Sequence, residues 1–451
     1  MKALKIILVL TVLLYSNVFS QFSQFRQLFP LNPQEGFFGG GAGMTWIDNK
    51  PHITAHLFPE FSFANFGIGF DLNLEFDEQG QVRTENFNEF SDYLRIIRYA
   101  RYGRNYDPLY VRLGALDFAS LGHGSIMRRY NNSLIYDTRK IGLEFNVDFH
   151  SFGVEGVYSS FAENSVVGAR AYVRPLSMTE LSSIPIIGGL EFGATYTTDL
   201  NANAGVRSGS LVDSTFTISE DSGPVKVFGF DVSLPLIKGS FGIVNLYYDY
   251  AEIVHYGVGR SAGIELNLNG LGLVDIRTKL ERRWNGNQYL PNYFNSFYEI
   301  ERFRFDESSN TVTSKVQALE SNIAIGNGYY GELWIKVLGS FDVIGSYQRL
   351  DNNPESGVMQ LRADISPENT QMVARAGYDK INIKDEKDLF TLDDRSYLYA
   401  EVGYKPIEYI LMSVIYQWTF SPIRDINDNV INFVPQKKVE PRISFVYPFD
   451  L

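Results

Sequence analysis

Strict alternation of apolar and polar residues is the feature that most constrains the fold of this chain. From Ile141 to Phe149 every second residue is apolar, and the residues between them are Gly, Glu, Asn and Asp. After His150 and Ser151 the alternation resumes. Successive side chains of a strand point to opposite faces, so this stretch predicts a β-hairpin with one apolar face and one polar face.

The same two-faced pattern recurs almost to the C-terminus. Further runs lie at residues 166–174, 228–234, 264–269, 360–365 and 410–420. Very short links join some runs, and long polar stretches join others. The long stretches are residues 77–107, 200–223, 285–327, 384–394 and 422–438. Short turns that alternate with long loops are typical of membrane barrels.

The polar faces of the strands distinguish two architectures that could remove the apolar faces from water. A soluble chain would need stacked sheets and several domains, whereas one closed sheet in a membrane turns its apolar face to lipid and has no free edge. Charges of both signs, such as Glu144, Arg170, Asp231 and Arg277, suit a wet lumen. We therefore expect an all-β chain: a single closed antiparallel transmembrane β-barrel of about 18 strands (range 16–20), with short periplasmic turns and longer extracellular loops.

The first twenty residues have the pattern of a secretory signal peptide. Lys2 and Lys5 precede the apolar run IILVLTVLLY, and Val18 and Ser20 suit a cleavage site. The apolar run is too short to span a bilayer easily. We expect residues 1–20 to be removed and residues 21–451 to form the barrel, with Gln21 as the first residue of the mature chain.

Charge and composition exclude several classes of function. Without Lys2 and Lys5 the chain has 38 basic and 52 acidic residues, a net charge of −14, and nucleic acid is not an expected partner. Cysteine is absent, while 28 Tyr and 34 Phe suit aromatic girdles at membrane interfaces. The spacing of Asp425, Asn427 and Asn429 lacks the Gly and Glu of a calcium loop. No cofactor or metal site is predicted.

The C-terminus, PRISFVYPFDL, carries the first sign of a family. Ile443, Phe445, Tyr447 and Phe449 share one face. This resembles the aromatic terminal strand that outer-membrane barrels present to the barrel assembly machinery, although Asp450 and Leu451 depart from the usual ending.

The resemblance extends along the chain. Together with DPLYVRLGALDFASLGHGSIMRRYNN (107–132) and GARAYVRPL (168–176), the C-terminus resembles porin-like outer-membrane β-barrel proteins of Gram-negative bacteria, an uncharacterised group. The resemblance covers residues 1–451. It implies location in the cell outer membrane and contact with its lipid, and it does not name a substrate.

Alternation places a set of charged residues on the predicted lumen face. The candidates are Arg112, Glu144, Asp148, Arg170, Arg174, Asp231, Glu265 and Arg277. Two interpretations remain open. The arginines could form a ladder that steers anions, because rings of charge set the selectivity of pores. Alternatively, acids and bases bond to one another in a mixed lumen.

The stretch LGHGSIMRRYNN (121–132) breaks the alternation between strands expected to end near Ala119 and to begin near Thr138. Irregular backbone at membrane depth must be buried in protein or line water. We expect the stretch to fold into the barrel against carboxylates such as Glu144 and Asp148. There His123, Arg128 and Arg129 would narrow the pore. A Gly-rich turn and a solvent-exposed loop are the alternatives.

These features predict a porin-like channel or transporter for small polar solutes, and not an enzyme. The first alternative is a non-conducting structural or docking barrel. A lipid hydrolase would rest only on His123 and Ser125, which lack the GxSxG context. The stretch NEFSDYLRIIRYARYG (88–103) further suggests a short helix at one barrel mouth.

Overall fold

The computed structural model describes most of the chain from Gly36 onwards. The described residues are 36–47, 50–83, 93, 96–103, 107–135, 140–212, 215–239, 242–268, 273–306, 310–321, 326–337, 340–367, 370–427 and 430–449. The predicted signal peptide and the predicted mature start at Gln21 lie outside the described residues, so the division at residue 20 stays a prediction.

Strands dominate the described residues, as the alternation predicts. They are β1 (Gly36–Ile47), β2 (Lys50–Leu57), β3 (Glu60–Phe63), β4 (Phe66–Phe70), β5 (Leu72–Phe76), β6 (Ile97–Tyr102), β7 (Leu109–Gly114), β8 (Gly142–Asp148), β9 (Phe152–Tyr158), β10 (Val166–Val173), β11 (Glu191–Asp199), β12 (Val206–Val212), β13 (Thr215–Asp221), β14 (Val225–Gly239), β15 (Gly242–Ile253), β16 (Val258–Leu268), β17 (Val274–Asn285), β18 (Phe303–Asp306), β19 (Thr311–Ser314), β20 (Gly328–Val337), β21 (Phe341–Leu350), β22 (Asn353–Ile365), β23 (Met372–Ile383), β24 (Ser396–Ile407), β25 (Ile410–Arg424) and β26 (Val430–Phe449).

Helical structure is short in the described part of the chain. It consists of α1 (Tyr298–Glu301), α2 (Lys315–Ala318) and single 3-10 turns at Pro175–Met178, Glu180–Ser183, Ile187–Gly189 and Leu319–Ser321. Among the described residues, no helix has the length and apolar character needed to cross a membrane.

Twenty-two of the described strands belong to one main sheet, in which the paired strands are antiparallel. Strands close in sequence pair with one another from β1 to β26, apart from the separate hairpins β12–β13 and β18–β19. The last strand, β26, also pairs with β1, from Gly36 opposite Phe449 to Ile47 opposite Lys438. The series of pairings thus returns to its first strand.

The strand number differs from the predicted 18. Part of the excess has a local cause, because two long segments are each interrupted. Phe58 and Pro59 separate β2 from β3, and Asp71 separates β4 from β5. Proline cannot donate a hydrogen bond to the sheet. Counting each interrupted pair as one segment leaves 20, the upper end of the predicted range.

Two predictions of local structure are wrong in part. The second half of the stretch expected to be helical, residues 97–102, is strand β6, whereas Tyr93 in its first half is helical and the other residues before Ile96 lie outside the described residues. The predicted long loop at residues 422–438 is mostly strand, since β25 continues to Arg424 and β26 begins at Val430. The outer ends of the long strands β25 and β26 carry polar residues, and the hydropathy pattern therefore assigned these residues to a loop.

Most short connections lie at one end of the main sheet and most long ones at the other, although residues 174–190 lie at the short end and residues 351–352 at the long end. The short ones include residues 64–65, 149–151, 240–241, 338–340 and 408–409, and the long ones include residues 77–96, 115–141, 200–224, 286–327 and 384–395. Because antiparallel neighbours reverse direction, these short connections lie at one end of the main sheet and these long ones at the other. The asymmetry matches the predicted loop pattern.

The main sheet exposes its apolar face and covers its charged face, which is the reverse of the arrangement in a soluble protein. Phe230 exposes 57% of its surface, Ile264 40% and Val414 52%, whereas Asp231, next to Phe230, exposes only 6%. Large exposed apolar side chains recur on this face in many strands. The predicted apolar face is therefore exposed, and the charged face is covered.

Candidate functional site

Residues 115–135, between β7 and β8, lie across the charged face of the main sheet. Backbone hydrogen bonds join Ala119 to Tyr130 in both directions, which folds the segment back on itself. Gly122 has φ +54°, and a Cβ there would lie 2.9 Å from the Cδ of Arg170. Only glycine permits both this backbone conformation and so close an approach to the wall.

Polar contacts fix the 115–135 segment to strands far apart in the sheet. The Gly122 amide donates to Glu155 Oε2 of β9 at 2.7 Å. On the opposite side, Arg128 Nη2 and Arg129 Nη2 lie 2.5 Å and 3.1 Å from the same oxygen, Oε2 of Glu332 in β20. Arg129 Nη1 also donates to Ser346 and Gln360. The segment therefore reaches from β9 to β22.

No hydrogen bond or ion pair of the described residues joins this segment to Glu144 or Asp148, the carboxylates that the sequence led us to expect as its partners. Glu144 faces Arg112 across the β7–β8 pair, and Asp148 accepts from Arg174 at 2.9 Å near a short connection. Both carboxylates belong to β8, the strand that follows the segment. The segment instead crosses to carboxylates of strands later in the chain, which no local pattern could reveal.

The predicted lumen residues lie on the charged face and bond to one another. Arg170 donates to Glu155 at 2.8 Å, to Glu191 at 2.7 Å and to Asp231 at 2.6 Å. Arg174 also bridges two acids, because its Nε lies 2.9 Å from Glu191. Arg170 and Arg174 are thus paired with acids on the charged face, and the assignment of that face to a lumen stays a prediction.

The other two predicted arginines use different partners. Arg112 Nη2 lies 3.0 Å from Asp117, which is five residues further along the chain and not on a distant strand. The Arg277 guanidinium lies 4.2 Å from the centroid of the Trp334 ring, in a cation–π contact. Trp334 in turn donates its indole N–H to Asp342.

His123 stands where the segment meets strands β14 to β17. Its Nδ1 lies 3.4 Å from Glu265 Oε1, and its Nε2 lies 3.9 Å from Asp231 Oδ1. The imidazole stacks on the Tyr247 ring at 4.1 Å, and Lys279 donates to the His123 carbonyl oxygen. The side chain is thus held in one orientation.

The hydrolase hypothesis requires a hydrogen bond from the Ser125 hydroxyl to the His123 imidazole, but the Ser125 hydroxyl has other partners. Ser125 Oγ donates to Asp249 Oδ2 and lies 3.2 Å from Ser261 Oγ. Among the described contacts, Ser125 and His123 therefore do not form a nucleophile–base pair.

Sequence reasoning missed a second segment on the same face, residues 286–302. Tyr293, Phe294 and Tyr298 are fully buried there, in one apolar cluster with residues such as Met127 and Tyr130 of the first segment. The sequence contains a signal for this buried segment, because the stretch NQYLPNYFNSFY is too aromatic for a loop exposed to water.

Ion pairs anchor the second segment. Arg302 lies 2.7 Å from Asp199, and Lys140 lies 2.7 Å from Glu299. Burial alone would raise the pKa of Glu299, but Arg302 and Lys140 hold this pKa low, at about 2. Glu332 and Asp249, which receive the first segment, were also missed, although alternation places both on the charged face.

Comparisons with known proteins give structural matches only. No family model matches the chain, and no curated protein matches it. Solved structures that match include OccK11 (OpdR) of Pseudomonas aeruginosa, with 10% identity, coverage of 92% of this chain and 95% of that chain, and a TM-score of 0.30. OccAB3 of Acinetobacter baumannii matches with 10% identity, coverage of 92% and 98%, and a TM-score of 0.30.

A third match is Wzi of Escherichia coli, described as an outer-membrane protein involved in group 1 capsule assembly and as a carbohydrate-binding β-barrel. It has 12% identity, coverage of 93% of this chain and 85% of that chain, and a TM-score of 0.35. The solved structures that match thus include porin-like outer-membrane β-barrels, the class that the sequence resembles.

Proposed function

We propose that this chain is a porin-like β-barrel of the outer membrane, closed by the pairing of β26 with β1. The reversed polarity of the main sheet is the observation that carries the proposal. Exposed apolar area on this scale is unfavourable in water and favourable in lipid. The charged face then lines a lumen, where water and ion pairs satisfy it.

Within this barrel, we propose that small polar solutes pass through a charged lumen and that the 115–135 segment forms its constriction. The segment extends from β9 to β22, so it lies in the path of any solute. Arg128 and Arg129 place two positive charges beside the single carboxylate of Glu332, which leaves a local excess of positive charge. A constriction of this kind favours anions over cations.

Conductance in planar bilayers tests the proposal. Replacing Arg128 and Arg129 by Ala should raise the single-channel conductance, because two long side chains leave the constriction. The same change should shift selectivity toward cations. Arg207→Ala with Arg304→Ala is the matched control, since both arginines are exposed in the β12 and β18 hairpins. A folded double variant with wild-type conductance and selectivity contradicts the constriction.

A second candidate is a non-conducting barrel whose lumen is filled by its own chain. The apolar cluster that joins the two segments favours it, since rings such as Tyr130, Tyr293 and Phe294 pack where water would otherwise lie. Bilayers that contain folded wild-type protein and show no channel events, with or without the arginines, would support this candidate over the channel.

The C-terminal strand supports a further part of the proposal. Phe445 and Tyr447 are exposed on the apolar face of β26, as expected of the signal that the barrel assembly machinery recognises. We propose this machinery and outer-membrane lipid as the partners of the chain, with small polar solutes as its cargo.

A further inference from the structure

Three potential metal ligands meet where the 115–135 segment touches the wall. They are His123 from the segment, Asp231 from β14 and Asp249 from β15, and one donor atom from each lies within 4.8 Å of the others. Their spacing in sequence gave no sign of a site, because the segment and the two strands are far apart in the chain. Only the crossing of the segment brings them together.

The imidazole of His123 is oriented as a metal ligand. Its Nδ1 faces Glu265 at 3.4 Å, and the stacking on Tyr247 fixes the plane of the ring. Nε2 then lies 3.9 Å from Asp231 Oδ1 and makes no hydrogen bond to the described residues. A carboxylate on one ring nitrogen that directs the other toward a metal is a recurrent arrangement in metalloproteins.

Asp249 provides the second, independent indication. Only 4% of this residue is exposed. Oδ2 accepts the hydrogen bond from Ser125, but Oδ1 has no hydrogen-bond partner among the described residues. A buried carboxylate oxygen without a donor is costly. A cation between Asp249 and His123 would satisfy it.

The surrounding charge also favours a cation. Arg170 is shared by Asp231, Glu155 and Glu191, and Lys279 is shared by Glu265 and Glu281. Arg174 also pairs with Glu191, and Arg283 also pairs with Glu281. With Asp249 included, six carboxylates share these four cations around the cluster. Although Arg170 donates to both oxygens of Asp231, each of these oxygens keeps a second lone pair for a metal.

We propose that His123, Asp231 and Asp249 bind one divalent transition-metal ion of the zinc type. One imidazole nitrogen with two carboxylates is a ligand set found for Zn²⁺. Ca²⁺ and Mg²⁺ prefer sites made entirely of oxygen ligands. The bound ion fastens the segment to β14 and β15, and its binding does not depend on whether the lumen conducts.

Isothermal titration of the EDTA-treated, detergent-solubilised barrel with ZnCl₂ tests the site. We expect one Zn²⁺ per chain and much weaker binding of Mg²⁺. His123→Gln and Asp249→Asn should each weaken Zn²⁺ binding at least tenfold. Glu265→Gln should weaken it by about 10–100-fold, as loss of an orienting carboxylate does. Zn²⁺ should also raise the melting temperature of the wild type more than that of these variants.

Matched controls separate this site from other histidines. His255→Gln changes an exposed histidine, and Asp342→Asn changes a buried aspartate that bonds to Trp334. Both should bind Zn²⁺ like the wild type. The proposal is overturned if folded wild-type protein binds no Zn²⁺, if Mg²⁺ binds equally well, or if His123→Gln and Asp249→Asn leave the affinity unchanged. Conductance is not the readout, so a negative result here leaves the proposed function standing.

Discussion

At the scale of single residues, arginine explains how a covered face can be so highly charged. Arg170 donates to Glu155, Glu191 and Asp231 at once, which the five N–H groups of a guanidinium allow. Glu332 does the converse, because it accepts a hydrogen bond from Arg128 and forms an ion pair with Arg129 at 3.1 Å. Charges that are shared in this way stay ionised away from bulk water.

The exposed apolar face gives the first prediction, at Phe230. We expect Phe230→Arg to lower the free energy of unfolding in lipid vesicles by about 2–4 kcal/mol, the cost of an arginine on the lipid face near the midplane. Phe390→Arg is the control, because Phe390 is also an exposed phenylalanine but lies in the connection between β23 and β24. Chemical denaturation of the two variants in vesicles provides the comparison, and equal costs would contradict a lipid-facing Phe230.

At the scale of elements, the strands follow from their own sequences, whereas the 115–135 segment is placed by its contacts. Its short internal pairing between Ala119 and Tyr130 does not determine where it lies. The wall residues that contact it range from Arg98 in β6, which donates to Asp117, to Thr419 in β25, which donates to the Leu134 carbonyl oxygen. These contacts hold the segment in one position against the wall, and a disulfide cross-link can test that position.

The second prediction joins the segment to the wall. Ser125 Oγ and Ser261 Oγ lie 3.2 Å apart, and the chain has no cysteine of its own. Ser125→Cys with Ser261→Cys should form an intramolecular disulfide on mild oxidation, read out as loss of both free thiols by mass spectrometry. Ser125→Cys with Ser413→Cys is the control, since Ser413 lies on β25, outside the strands that contact Ser125. Equal cross-linking in both pairs would contradict the placement of the segment.

At the scale of the whole molecule, the closure that we propose depends on the pairing between β26 and β1. In β1 and β26, Ala42 lies opposite Ile443, and both residues are exposed on the apolar face. Opposed residues in antiparallel strands bring their Cβ atoms to about 4.5–5.5 Å. A closed sheet has no edge strand that could pair with another chain.

The third prediction tests this closure. Ala42→Cys with Ile443→Cys should form an intramolecular disulfide in the folded protein and not in the urea-unfolded chain. Met412→Cys replaces Ile443→Cys in the control, because Met412 is the β25 partner of Ile443 and lies one strand further from Ala42, about 9–10 Å away. That distance exceeds the reach of a disulfide. Failure of the first pair to cross-link would indicate an open sheet.

The sequence alone determined the strand class, the two faces and the loop asymmetry. Alternation is local, so Phe230 and Asp231 are assigned to opposite faces without any knowledge of their neighbours. Strand boundaries were less certain, because β6 and the ends of β25 and β26 are polar enough to be taken for helix or loop. The sequence also singled out residues 121–132 as irregular.

Only the tertiary structure decided what those irregular residues touch. The partners of His123, Ser125 and Arg128 are Glu265, Asp249 and Glu332, which come from strands more than a hundred residues further along the chain. Glu265 sits at a position that alternation assigned to the charged face, whereas Asp249 and Glu332 were not singled out from the sequence. Which of them faces the segment depends on how the sheet curves, and curvature arises from the whole set of strand pairings rather than from any one stretch of sequence.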